Sequence, residues 1–238
     1  FPFWVAGILG LISTVVAWRF LPHDEDELFK SETKNPENEL LTGGWSQLKQ
    51  IMTPILITLF GMIFVASFGL AGFESIYSLY VNEVHNFDLN AIALVLTLNG
   101  IISLILQVFF FDRLVRWLGE VRLMRYSFFL SLVGTIMVIY DHNHWHIIIA
   151  TLFVFEAFDM LRPTITTLLT KMSKTNQGLL NGVNMSLTSV GNIIGPLISG
   201  YLLDVNYQYP YWFVSIFLII SWVITLVLGR ERKAATND

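Results

Sequence analysis

Residues 51–81 read IMTPILITLFGMIFVASFGLAGFESIYSLYV, a run in which Glu74 is the single charged side chain. A helix needs about 20 mostly apolar residues to cross the hydrocarbon core of a bilayer, and this run exceeds that length. Six more apolar runs lie at roughly 3–20, 91–111, 123–140, 145–170, 178–203 and 211–229. The sequence therefore predicts an all-α integral membrane protein with seven transmembrane helices.

The composition agrees with a membrane location and excludes several other classes of protein. The chain has 238 residues, of which 54% are hydrophobic and 13% are charged, whereas soluble domains carry about 25% charged residues. The absence of cysteine excludes disulfide scaffolds, thiolate zinc sites and a cysteine nucleophile. No phosphate-binding glycine loop, nucleophile elbow, zinc-protease motif or basic nucleic-acid patch is present. We therefore expect neither an enzyme nor a nucleic-acid-binding protein, and neither a metal nor an organic cofactor.

Basic residues are unevenly distributed between the predicted loops. If residue 1 lies outside, thirteen of the fourteen lysines and arginines fall in cytoplasmic stretches. The outer loops, 82–90, 141–146 and 204–210, contain none. By the positive-inside rule, we expect a multi-pass plasma-membrane protein with a cytoplasmic C-terminus.

The spacing of the apolar runs predicts four parts. The first helix, 1–20, is followed by an acidic cytoplasmic linker, 21–50, a six-helix bundle, 51–229, and a cytoplasmic tail, 230–238. This pattern is expected when a carrier of two six-helix halves lacks its first five helices. A chain that begins with Phe rather than Met favours the same interpretation, and a native seven-helix receptor is the remote alternative.

Charged side chains inside the predicted spans are the main functional candidates. Glu74 is isolated in the second span, whereas Glu156, Asp159 and Arg162 lie at i, i+3 and i+6 in the fifth. That spacing predicts one shared helical face and a direct Asp159–Arg162 pair. A lone carboxylate in hydrocarbon takes up a proton, which is the property that a proton-coupled carrier needs. The alternative for Asp159 and Arg162 is a structural ion pair, while Glu156 fits a cavity wall or the outer interface equally well.

The sixth span combines small residues with amides. A glycine pair four residues apart lets another helix approach closely, and a proline adds a bend point. These features fit a hinge for alternating access or static packing, and the residues concerned are Gly191, Gly195, Pro196 and Gly200. Asn184 and Asn192 are eight residues apart and share a face, where they contact substrate or bond across helices.

Aromatic side chains accompany the intramembrane acids. Tyr77 lies one turn from Glu74, and Phe155 and Phe158 flank the acids of the fifth span. An acidic, aromatic-lined cavity suits lipophilic cations, although phenylalanine is also common on lipid-facing surfaces. Outside the spans, a loop with Asp112 and Arg113 is either a latch for the inner face or an ordinary basic loop.

Four stretches of the chain resemble the major facilitator superfamily, and more narrowly the NorA-type multidrug efflux pumps of Gram-positive bacteria. They are FESIYSLY (73–80), FDRLVRWLGE (111–120), FDMLRPTIT (158–166) and GNIIGPLISGYLLDV (191–205). The resemblance implies a major facilitator fold, with the last helix of the N-terminal half and the complete C-terminal half present in this chain.

The resemblance also implies a proton antiporter that expels diverse, often cationic or zwitterionic drugs. Glu74 and Asp159 would be the proton-coupling carboxylates, and Arg162 would pair with Asp159 and gate the substrate. The residues that would line the drug cavity are Tyr77, Phe155, Phe158, Asn184 and Asn192, while Glu156 departs from the family's apolar pattern. The implied partners are drugs, protons, membrane lipid and the missing N-terminal half, in a functional monomer. A major facilitator carrier for a sugar or another metabolite is the alternative.

Overall fold

The computed structural model describes residues 2–20, 52–141, 143–172 and 177–234. The chain divides into two units, Phe1–Ile51 and Met52–Asp238. The predicted linker, 21–50, and residues 235–238 of the predicted tail lie outside the described residues.

Helices make up nearly all of the described chain. The first unit contains α1 (Pro2–Phe20). The second contains α2 (Pro54–His85), α3 (Leu89–Ile105), α4 (Phe111–Leu118), α5 (Glu120–Tyr140), α6 (His144–Met172), α7 (Gln177–Val205) and α8 (Tyr209–Ala234). A π-helical turn, Leu106–Phe110, joins α3 to α4, so Leu89–Leu118 is one continuous helical segment. Each predicted span corresponds to one of these helices, and the all-α architecture is confirmed.

Five helical segments in the described ranges are long and apolar enough to cross a membrane. They are α2, the segment that runs from α3 to α4, α5, α7 and α8 as far as Leu228. The other two predicted spans, α1 and α6, are helices of 19 and 29 residues that fall outside this set. Helix α6 carries Glu156, Asp159 and Arg162 near its middle, where the other long helices are largely apolar.

Local signals explain where α2 begins and ends. Thr53 caps its N-terminus, with the hydroxyl accepting the Leu56 amide at 3.4 Å, and Pro54 occupies the first turn. Asn86 ends the helix in the left-handed region at φ 55°. Asp88 then caps α3, because its Oδ1 accepts the Ala91 amide at 2.9 Å. These signals make the connection between the two helices only three residues long.

The closest helix pair in the second unit is α2 with α7. A Cβ added at Gly191 would lie 2.9 Å from the Phe68 nitrogen, and one at Gly195 would lie 2.6 Å from the Phe68 oxygen. Both distances are too short for any side chain, so the two glycines let the α7 backbone approach α2. Gly200 differs from the expectation, because a Cβ there would meet open space. Pro196 lies inside α7, and Pro163 lies inside α6.

Candidate functional site

Helix α6 is central to the candidate site, because it packs against α2, α3, α5 and α7. On the side of α3, Asp159 Oδ2 accepts a hydrogen bond from Ser103 Oγ at 2.8 Å. Ser103 Oγ in turn accepts a hydrogen bond from Gln107 Nε2 at 2.9 Å. A relay of three polar side chains therefore connects α6 to the α3 segment.

The relay coincides with the π-helical turn of the α3–α4 segment. Gln107 lies within that turn, and the buried Ser103 lies four residues before Gln107. Single π-helical turns inside α-helices occur frequently at functional sites. Neither residue was predicted from the sequence, because Thr97 and Asn99 place similar polar side chains in the same run.

Arg162 has a different partner from the one predicted. Its Nη2 donates to Asn192 Oδ1 of α7 at 2.8 Å, and the described part of the chain offers its buried Nε no hydrogen-bond partner. Among the described residues, the ion pairs within 4.0 Å are His146–Asp141 and Lys171–Glu120. The expected Asp159–Arg162 pair is therefore absent from this conformation, and each charged group is held by a neutral side chain instead.

Helix geometry explains why the three charged residues of α6 do not share a face. On an α-helix, a step of three residues falls about 60° short of a full turn. Two such steps separate Glu156 from Arg162, so these two side chains leave the helix about 120° apart. Asp159 accordingly contacts α3 and Arg162 contacts α7. Glu156 lines a cavity that also borders the α3–α4 segment and α5. The predicted single face is wrong, and the three side chains lie in three different contacts.

The aromatic residues predicted to line a cavity are instead packed in the bundle core. Tyr77, Phe155 and Phe158 are 0%, 2% and 0% exposed. The Tyr77 and Phe155 rings lie 5.6 Å apart in an edge-to-face contact, and Phe73 and Tyr211 extend the same cluster. Edge-to-face packing of large rings stabilises such a core, and it leaves these three residues no open surface in this conformation.

The two asparagines of α7 both bond to α6. Asn184 Nδ2 donates to Thr166 Oγ1 at 3.0 Å, and Asn192 accepts from Arg162. This matches the interpretation that they bond across helices. Asn192 is exposed and Asn184 is half-buried, so Asn192 also remains open to a ligand.

Glu74 lies on the exposed side of α2, separate from these contacts. The described residues offer its carboxylate neither a hydrogen bond nor an ion pair. Ser75 and Ser78 on the same helix are also exposed, so this side of α2 presents a polar strip in an otherwise apolar helix.

The predicted loop motif, Asp112 and Arg113, lies near an ion pair that joins two helix ends. Asp112 and Arg113 are exposed at the start of α4, inside the continuous helical segment rather than in a loop. The turn follows at Gly119, with φ 75°. Next to it, the buried Glu120 at the start of α5 pairs with Lys171 near the end of α6. That ion pair, which sequence analysis missed, ties these helix ends together.

Comparison with known proteins identifies one family and several relatives, of which two are representative. The family model described as Major Facilitator Superfamily matches residues 1–140 and 59–238. The chain is 36% identical over 237 residues to "Multidrug resistance protein 1" of Bacillus subtilis (strain 168), which covers 99% of this chain and 59% of that protein. It is 33% identical over 238 residues to "Quinolone resistance protein NorA" of Staphylococcus aureus (strain COL), covering 100% of this chain and 59% of that protein. The chain thus spans 59% of the length of these relatives.

Proposed function

Because the chain belongs to the major facilitator superfamily, we propose that it forms part of a proton-coupled antiporter that exports diverse lipophilic drugs across the plasma membrane. The drugs are often cationic or zwitterionic, and transport proceeds by alternating access. The activity belongs to the complete carrier, of which this chain supplies the C-terminal six-helix half. The names of the two relatives, multidrug and quinolone resistance proteins, support this substrate class.

The observation that carries the proposal is that α6 presents one acid and one base to two different helices. Asp159 accepts from Ser103 of α3, and Arg162 donates to Asn192 of α7. Each contact is a single hydrogen bond to a neutral group, so it exchanges more readily than a buried ion pair. Adding or removing a proton at Asp159 changes its charge next to Ser103 and Arg162. That change alters the relative stability of two helix arrangements, which is what proton coupling requires.

Glu74 supplies the second carboxylate of the proposed mechanism. It lies on the exposed side of α2. A carboxylate without a protein partner is available to a cationic drug or to a proton, and the two compete because both neutralise the same charge. Competition at one site gives exchange of drug for proton.

Transport measurements test the proposal in the full-length protein. In inverted membrane vesicles, Glu74→Gln and Asp159→Asn should each reduce proton-driven accumulation of a fluorescent lipophilic cation to background, with the protein still present in the membrane. The matched controls are Glu83→Gln on α2 and Asp204→Asn on α7, both exposed carboxylates at helix ends. Full accumulation by both test variants would contradict the proposal. Competition by sugars rather than by cations would favour the alternative carrier.

A further inference from the structure

A cavity of about 500 Å³ lies between the α3–α4 segment, α5 and α6. Leucine and isoleucine side chains form most of its wall. Helix α6 contributes Glu156, Ala157 and Met160, and α5 contributes Tyr126 and Ser127. The volume lies within the range of small-molecule sites, which are mostly apolar with a few polar groups.

Glu156 is the charged member of this lining. Its side chain is buried, with the residue only 7% exposed. Neither carboxylate oxygen has a hydrogen-bond partner within the described residues. A buried polar group is normally paired, because an unpaired one loses its hydration without compensation. The residue therefore lines the cavity, and within the described residues the hydrogen-bonding capacity of its buried carboxylate is unused.

We propose that this cavity is a binding site for a lipophilic cation, with Glu156 as the counter-charge. The carboxylate supplies the charge that a cation needs in apolar surroundings, and the hydrocarbon wall supplies the burial. The ring of Tyr126 adds a cation–π partner at the rim. The ligand class, a lipophilic cation, rests on the proposed function. The location of the site rests on the cavity and on the buried Glu156.

The rim of the cavity indicates how the ligand enters. Tyr126, Leu130, Ile149 and Phe153 line the cavity and are also exposed on the outside of the bundle. Exposed apolar side chains in a membrane protein are solvated by lipid, so the opening admits a molecule dissolved in hydrocarbon. The site is therefore distinct from the Arg162–Asn192 contact, which points from α6 towards α7.

The depth of Glu156 argues against a lipid headgroup as the ligand. Glu156 is the thirteenth residue of the 29-residue helix α6, which puts it about 18 Å from the start of that helix. Headgroup amines lie at the membrane interface, whereas this carboxylate lies near mid-depth. A cation that partitions into the hydrocarbon reaches it without crossing an interface.

Equilibrium binding to the purified full-length protein tests the site. The starting protein carries Glu74→Gln and Asp159→Asn, which remove the carboxylates proposed for transport, and the probe is tetraphenylphosphonium. We expect this protein to retain one tetraphenylphosphonium site and the further change Glu156→Gln to weaken it by about tenfold or more. Tetraphenylborate, which has similar size and opposite charge, should bind weakly and equally to both proteins.

A second variant keeps the test decisive if Glu156→Gln does not fold. Leu130→Trp narrows the rim at an exposed position, and Val133→Trp on the same helix is the matched control outside the lining. We expect Leu130→Trp to weaken binding and Val133→Trp to leave it unchanged. The inference is overturned if the starting protein binds no tetraphenylphosphonium, or if binding survives both Glu156→Gln and Leu130→Trp. Because these are binding measurements, they are independent of the transport result that tests the proposed function.

Discussion

At the scale of single residues, the guanidinium of Arg162 is only partly used. It has five N–H donors, and within the described ranges its one hydrogen bond to a side chain goes to Asn192 Oδ1. The remaining N–H groups can donate to a carboxylate, from a neighbouring residue or from a zwitterionic drug, without breaking the contact to α7. In the proposed mechanism, these unused donors let Arg162 act as a gate rather than as a fixed structural link.

Strengthening the Arg162–Asn192 contact should slow transport. Asn192→Asp turns a neutral acceptor into a charged one, so the hydrogen bond from the guanidinium becomes a stronger, doubly charged contact. A tighter link between α6 and α7 favours the conformation described here, so we expect drug transport in vesicles to fall about tenfold while thermal stability is kept or raised. The control Asn206→Asp adds the same charge where the side chain caps the Gln208 amide at 2.8 Å. Wild-type transport by Asn192→Asp would show that this contact does not move.

Sequence reasoning identifies some of these residues and misses others for a physical reason. A charge inside an apolar run is costly, so Glu74, Asp159 and Arg162 are visible from the sequence alone. A hydroxyl or an amide costs much less, so Ser103 and Gln107 do not stand out from their run. The partner of each charge depends on which helix lies alongside, and that is set by tertiary packing rather than by spacing along α6.

At the scale of elements, α2 and α7 behave as one paired unit. Gly191 and Gly195 of α7 pack against the α2 backbone at Phe68, and Gly72 of α2 packs against Ser199 of α7. Close backbone packing of this kind resists sliding. Motion within the bundle is therefore more easily accommodated at the single hydrogen bonds of α6 than at this interface. The glycine spacing predicted a close helix approach, but the identity of α2 as the partner needed the structure.

A methyl group added inside the α2–α7 interface should destabilise the protein. Gly195→Ala places a Cβ 2.6 Å from a backbone oxygen that cannot rotate away, so we expect a loss of about 1–3 kcal/mol and a lower unfolding temperature in detergent. Gly200→Ala, where a Cβ meets open space, is the matched control on the same helix. It should be neutral or slightly stabilising, because alanine favours a helix over glycine. Equal unfolding temperatures for the two variants would contradict the packing interpretation.

At the scale of the whole second unit, the exposed surfaces of α2 and α7 combine polar and apolar side chains, whereas that of α3 is mainly apolar. Helix α7 exposes Ser186, Ser189 and Asn192, and α2 exposes Glu74. Helix α3 exposes mainly leucine and isoleucine side chains, and few of its residues are buried. Polar exposed residues in a membrane protein favour a water-filled cavity and apolar ones favour lipid. We therefore expect α2 and α7 to border the transport pathway and α3 to contact lipid along much of its length.

The orientation of these helices can be tested chemically, because this chain contains no cysteine. Single cysteines are introduced into the full-length protein after replacement of any cysteine elsewhere in it. By the positive-inside rule, Asn90→Cys and Gln208→Cys should react with a membrane-impermeant maleimide in intact cells. Arg116→Cys and Arg122→Cys, exposed near the α4–α5 turn, should react only after the membrane is permeabilised. The reverse pattern would place the Glu120–Lys171 ion pair outside and would reverse the direction in which a proton gradient acts on Asp159.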